Sequence, residues 1–194
     1  MNELIFESKS YLECIEAYHP LIKFHSRYYT SVNLLMRFLY HYKNIVLNKN
    51  KKFQIHSGFV FEDQLKKKLE EYNFTITDIK RINRKEFDVV TIKNNVIYNF
   101  QCKNSFIDIS LINTNQKQFI RHNKRLVNYF KKSIIKEEKR EKLLKDKLKI
   151  NKIEHFIVSR FPIMSENKRI ISFHNIDDWL IKNTSNKDLY NEPL

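Results

Sequence analysis

A single glycine, Gly58, serves the whole 194-residue chain. Loops that cradle phosphates with backbone N–H groups need several glycines at fixed spacing, as does the strained turn of a G-x-S-x-G nucleophile. Folds built on those loops are therefore excluded. Turns in this chain must instead use residues such as Asn, which tolerates positive φ. With 42% apolar and 13% aromatic residues, the chain has the material for a packed core. No apolar run approaches the ~18 residues of a membrane span, so no membrane partner is expected. Two cysteines, Cys14 and Cys102, give no metal-binding spacing and suit a reducing compartment. A soluble, cytoplasmic protein is expected.

The net charge of +14 is unevenly placed. Residues 117–152 carry 14 basic and 4 acidic side chains, leaving +10 in that stretch alone. Such a stretch suits a phosphate backbone, and suits the solvated face of a helix equally well.

Periodicity gives the element order. Residues 1–50 read as helical, and the apolar positions of 34–46 cover more than one helix face. Asn48–Lys52 is a polar break. Residues 57–72 form an amphipathic helix that Ser57 can cap, with Phe59, Phe61, Leu65 and Leu69 at helical spacing. Residues 74–82, 86–92 and 96–103 read as strands, 115–149 as a long helix, 153–159 and 169–173 as strands, and 175–181 as a closing helix.

The informative region is 86–103. A two-residue turn at Asn94-Asn95 makes paired positions sum to 189, so Ile92 faces Ile97 and Val90 faces Asn99. The same register places Asp88 opposite Gln101 and Glu86 opposite Lys103. Alternation puts Glu86, Asp88, Gln101 and Lys103 on one side, and Phe87, Val89, Tyr98, Phe100 and Cys102 on the core side. A cross-strand salt bridge at a sheet end accounts for such a cluster on its own. Strands this apolar, however, need a reason to carry polar groups. A further acid, Glu62, lies in the otherwise apolar run Gly58-Phe59-Val60-Phe61-Glu62.

A helical Glu (Glu62), a strand Asp (Asp88) and the triplet Gln101-Cys102-Lys103 together resemble the PD-(D/E)XK nuclease superfamily. The Gln-x-Lys form is similar to its Mrr-like restriction-endonuclease group. The resemblance covers roughly residues 57–182, and the chain departs from the commoner pattern in having Gln101 where an acid usually stands. It implies an α/β restriction-endonuclease-like core of order α-β-β-β-α-β, a mixed central sheet flanked by helices. The corresponding organisation is a helical N-terminal extension over 1–52, a nuclease-like domain over 53–182 and a tail over 183–194.

The same resemblance implies a metal-dependent endonuclease that hydrolyses DNA, in restriction or defence against foreign DNA. Mg²⁺ or Mn²⁺ would be held by Asp88, the Gln101 amide carbonyl, the Cys102 backbone carbonyl and Glu62. Lys103 would orient the attacking water and stabilise the phosphorane, and Glu86 would hold Lys103 or assist the metal from behind its ligands. Gln118, Arg121, Lys124 and Arg125, in the first turns of the long helix, would contact substrate phosphate. The family often pairs two active sites, which implies a homodimer, and a separate recognition or activating partner fits the same reading. Two alternatives stay open on these residues. One is a non-catalytic nucleic-acid-binding or scaffold protein on the same fold, and the other a junction-resolving or repair nuclease.

Overall fold

The structure is a computed structural model and describes residues 5–7, 19–42, 47, 50–105 and 116–188. It divides into two compact units, residues 1–56 and 57–194.

The first unit departs from the all-helical expectation. It contains a three-stranded sheet of β1 (Ile5–Glu7), β2 (Leu21–Phe24) and β3 (Arg27–Tyr29). β1 runs parallel to β2, and β2 and β3 form a hairpin. His25 opens the hairpin turn at φ 55°. The segment is rich in β-branched and aromatic residues (Leu-Ile-Lys-Phe, Arg-Tyr-Tyr), and cross-strand pairing overrides weak helical periodicity. Helix α1 (Val32–His41) follows, capped by Ser31, whose Oγ accepts from the Leu34 N–H at 3.2 Å. Its apolar residues do not all pack, because Val32, Leu35, Met36 and Leu39 are exposed.

Helix α2 (Lys51–Glu71) begins earlier than the sequence suggests. Asn50 Oδ1 accepts from the N–H groups of Lys52 and Phe53, so Asn50 fills the capping role and Ser57 lies inside the helix. The predicted strand 74–82 is two short pieces, β4 (Thr75–Ile76) and β5 (Arg81–Ile82). β5 pairs with β6 (Lys85–Glu86) across Asn83-Arg84, both at positive φ. β7 (Val89–Lys93) and β8 (Val96–Lys103) form the expected hairpin. Asn94 and Asn95 take φ 49° and 56°, the geometry of a type I′ turn. The register is as the turn requires, with Ile92 opposite Ile97 and Val90 opposite Asn99.

The expected long helix is broken into α3 (Gln116–Glu138) and α4 (Glu141–Leu148). The break is at Arg140, which folds back onto Glu137 rather than continuing outward. β9 (Lys152–Ser159), β10 (Ile170–Ser172), a 3₁₀ turn (Phe173–Asn175) and α5 (Ile176–Asp188) complete the chain, so the region expected as a tail from 183 is helical to Asp188.

The central sheet of this second unit is mixed and five-stranded, in the order β10-β9-β8-β7-β4. β8, β9 and β10 are parallel, while β7 and β4 are antiparallel to their neighbours. One face packs Phe61, Leu65 and Leu69 of α2 and Leu180 of α5 against Val89, Tyr98, Phe100, Phe156 and Val158. Trp179 sets its edge against Phe100 and Phe156, with ring centroids 5.9 and 4.8 Å away. The other face carries two clusters, Phe87, Val90, Ile97 and Leu144, and Phe130, Ile134, Ile157 and Ile170. Each fully buried large side chain contributes about 1.5–3 kcal/mol. Both faces are thus covered by helices, as a sheet with parallel central strands requires. Among the described residues no helix is long and apolar enough to cross a membrane.

Candidate functional site

Asp88 stands at a bend immediately before β7, at the sheet end where β8 and β9 finish. The β7–β8 ladder closes at Val89 opposite Phe100, so Asp88 does not pair with Gln101 as expected. Its Oδ2 instead accepts from the Cys102 backbone N–H at 2.8 Å. That bond fixes the carboxylate against the C-terminal end of strand β8. Burial raises the Asp88 pKa, while the Cys102 N–H and the nearby Lys103 ammonium oppose the rise.

The bend also reverses the side of the residues before it. Phe87 was expected with Val89 and Phe100, but it packs with Val90 and Ile97 on the opposite face. Its N–H donates to Lys80 O at 3.0 Å, so the chain here follows the 77–80 segment rather than β8. Glu86 consequently does not face Lys103. Its carboxylate pairs with Arg81, and its carbonyl accepts from Arg140 at 2.7 Å.

Glu62 reaches the same place from α2. Its pKa is pushed up to about 7, first by burial and then by the Asp88 charge. Glu62 and Asp88 both line a cleft of about 430 Å³ with Phe59, Lys80, Arg81, Glu86 and Phe87. Neither carboxylate has an ion-pair partner among the described residues. The Cys102 thiol packs against the core formed with α2, as its strand position predicts, and burial together with Asp88 and Glu62 pushes its pKa up. Gln101 is buried, and its side-chain amide makes no hydrogen bond among the described residues. Lys103 Nζ lies 5.6 Å from the Tyr129 ring.

The structure therefore brings together Glu62, Asp88, Cys102 and Lys103, and leaves Glu86 in a separate pair. Gln118, Arg121, Lys124 and Arg125 are all exposed on α3. Phe119, Phe130 and Ile134 are buried on the same helix. Lys80 and Arg81, which line the cleft, were missed by sequence reasoning. Their only signal was a basic pair directly before the hairpin that positions Asp88.

A buried polar network was also missed. Asn99 Nδ2 donates to Glu137 Oε2 at 2.9 Å and contacts His155 Nδ1 at 3.1 Å. Arg140 Nε and Nη2 clamp Glu137 at 2.8 and 2.6 Å. The Arg140 guanidinium also lies 4.5 Å from the Phe87 ring. Burial lowers the His155 pKa. This network holds α3 and the α3–α4 break against β8 and β9, and so fixes the segment that carries Phe87 and Asp88.

Among the described residues no group of three or more His, Cys, Asp and Glu side chains could hold a metal. At Asp88 the structure gathers two carboxylates, its own and that of Glu62, on one cleft. A separate cavity of about 820 Å³ is lined by none of these residues and opens beside β9, α4 and α5 around His155, Arg169 and Trp179. Comparison with protein-family models, curated proteins and solved structures finds no match. A functional reading therefore stands on the chemistry of the site.

Proposed function

We propose that this protein is a metal-dependent endonuclease that hydrolyses DNA phosphodiester bonds. The observation that carries the reading is that Glu62 and Asp88 line one cleft, where burial and then the Asp88 charge push the Glu62 carboxyl up to about 7. Such a pair is unfavourable alone and favourable around a divalent cation. Mg²⁺ takes oxygen ligands, uses one or two carboxylates and fills its remaining positions with water and phosphate oxygens. Two carboxylates fit that demand, with the Gln101 amide, which makes no hydrogen bond among the described residues, as a further oxygen donor. They do not fit zinc, which selects nitrogen and sulfur and three or four protein ligands.

When bound, the metal would polarise the scissile phosphate and lower the pKa of a bound water. The chain's own residues supply the rest. Asp88 holds its orientation through the Cys102 N–H, and so gives the site a fixed ligand. Glu62 completes the pair from α2, and Gln101 offers a neutral carbonyl in place of a third charge. Lys103 donates hydrogen bonds to the attacking water and to the charge that builds on phosphorus. Lys80 and Arg81, on the cleft wall, attract the polyanion. Glu86 has no part in this reading beyond its pair with Arg81. The exposed Arg121, Lys124 and Arg125 add sequence-independent affinity.

The test is cleavage of supercoiled plasmid, linear and branched duplex, single-stranded DNA and RNA, with Mg²⁺, Mn²⁺ or chelator. Metal-dependent cutting lost in Asp88→Ala and in Lys103→Ala supports the reading. Preference for branched duplex would make the enzyme a resolving nuclease. No cutting, with salt-sensitive binding retained in both variants, would replace it with a nucleic-acid-binding protein on the same fold.

A further inference from the structure

Beside the proposed metal site stands a second group of polar residues around a cation, Arg160, that forms no ion pair among the described residues. Arg160 follows β9, and its backbone N–H donates to Lys103 O at 2.9 Å, which seats it at the end of β8. Its guanidinium is half-buried. Nη1 donates to Asn104 Oδ1 at 3.2 Å and to Ser57 Oγ at 3.3 Å. Asn104 Nδ2 also donates to Ser57 Oγ, at 2.5 Å. No carboxylate pairs with Arg160 among the described residues. Burial lowers its pKa and no neighbouring charge offsets that.

The hydrogen-bond inventory leaves specific donors over. A guanidinium has five N–H donors; Nη1 donates to Asn104 and Ser57, and among the described residues the three on Nε and Nη2 have no partner. A hydroxyl has one proton and two lone pairs. Ser57 Oγ is 7% exposed as a residue and accepts twice, so its own proton is left for a third partner. Asn104 orients both groups without adding negative charge. A desolvated cation with a preset fork and a spare hydroxyl proton is a receptor for a tetrahedral oxyanion.

The geometry points to a second phosphate site, formed by Arg160, Ser57 and Asn104, that binds a backbone phosphate flanking the scissile one. It rests on the nuclease reading for the source of that phosphate. Arg160 is thus a positioning residue, holding the strand so that the next phosphate meets Asp88 and Lys103.

The experiment is equilibrium binding of a fluorescent 20-base-pair duplex to the full chain in chelator, over a range of salt concentrations. Wild type, Arg160→Ala, Arg160→Lys and Asn104→Ala are compared after thermal melts establish that each is folded. Arg160→Ala is expected to weaken binding about ten-fold, the loss of charge-assisted bonds to one phosphate. It should also reduce the slope of log K against log salt by about 0.9. Arg160→Lys should keep the slope, because the charge remains, and still lose affinity, because the fork is gone. Unchanged affinity and slope in Arg160→Ala overturn the site and leave the nuclease reading standing.

If wild type binds no duplex, the nuclease reading fails instead, and the receptor is judged with inorganic phosphate alone. A saturable shift of the ¹⁵N-labelled Arg160 Nε resonance, identified by its absence in Arg160→Lys, would retain an anion site. No shift at constant ionic strength would overturn it.

Discussion

Replacing Glu62 with glutamine should stabilise the protein above neutral pH and have no effect in acid. In the folded chain the Glu62 carboxyl keeps its proton up to about pH 7, against an ordinary value of 4.5. Between those values the folded state binds the proton and the unfolded state does not, so wild-type stability falls as pH rises through this window. The interval corresponds to about 3.4 kcal/mol at the usual conversion between pKa and free energy. Glu62 is only half-buried, and solvent screening brings the expected span to about 1–2 kcal/mol. Glu62→Gln removes the charge while keeping the shape. It should therefore melt about 3–6 °C above wild type at pH 8, and together with it near pH 4.5. Mg²⁺ should reverse the order. It should stabilise wild type above pH 7, by about 1.4 kcal/mol at ten times its Kd, and stabilise the variant less. The assay is thermal and urea denaturation from pH 4.5 to 8, with chelator or with Mg²⁺. Parallel pH profiles for the two proteins would refute the reasoning, because they would mean that Glu62 and Asp88 do not share a desolvated site.

Arg140→Ala should cost about 3–5 kcal/mol in urea denaturation, since it strands the fully buried Glu137 carboxylate. The double variant Glu137→Leu/Arg140→Met should lose clearly less than that, and an equal loss would show that the pair is not the cause. Asn95→Val should destabilise the β7–β8 hairpin by about 1–2 kcal/mol because its φ is 56°, whereas Asn95→Gly should be neutral or stabilising in the same thermal melts. Phe100→Ala, at the centre of the core between Phe156 and Trp179, should lose about 3–5 kcal/mol and broaden near-ultraviolet circular dichroism changes around Trp179. A smaller loss would mean that neighbouring rings collapse into the space.

Much of the second unit was legible because its signals are local. Asn94-Asn95 between two β-branched runs specifies a two-residue turn, and that turn sets the pairing of every residue from Val89 to Phe100. Phe61, Leu65 and Leu69 repeat at helical spacing and are buried on α2, whereas Phe59, read with them, is exposed. The prediction broke down where the chain leaves regular pairing. Extending the register three residues further placed Phe87 and Glu86 on the wrong sides, because the bend at Asp88 hands the chain over from β8 to the 77–80 segment. The helical reading of 115–149 missed the break for a related reason. Periodicity records which positions are apolar, and gives no sign that Arg140 turns inward to meet a buried Glu137. In the first unit, the short strands Leu21–Phe24 and Arg27–Tyr29 are too brief to show alternation against a helical background.

The amino-acid sequence by itself determined the absence of glycine-loop chemistry, the hairpin register and the choice of Glu62, Asp88, Gln101 and Lys103 as the residues worth following. Each of these depends on residue type and on spacing within one or two elements. Only the tertiary structure decided that Asp88 is held by a backbone N–H rather than by a facing side chain, and that Glu62 shares its cleft. It also decided that Arg160, Ser57 and Asn104 meet, across separations of 56 and 103 residues. Those outcomes depend on how buried charges find partners between distant elements. Desolvation energies of several kcal/mol act there, and no local pattern encodes them.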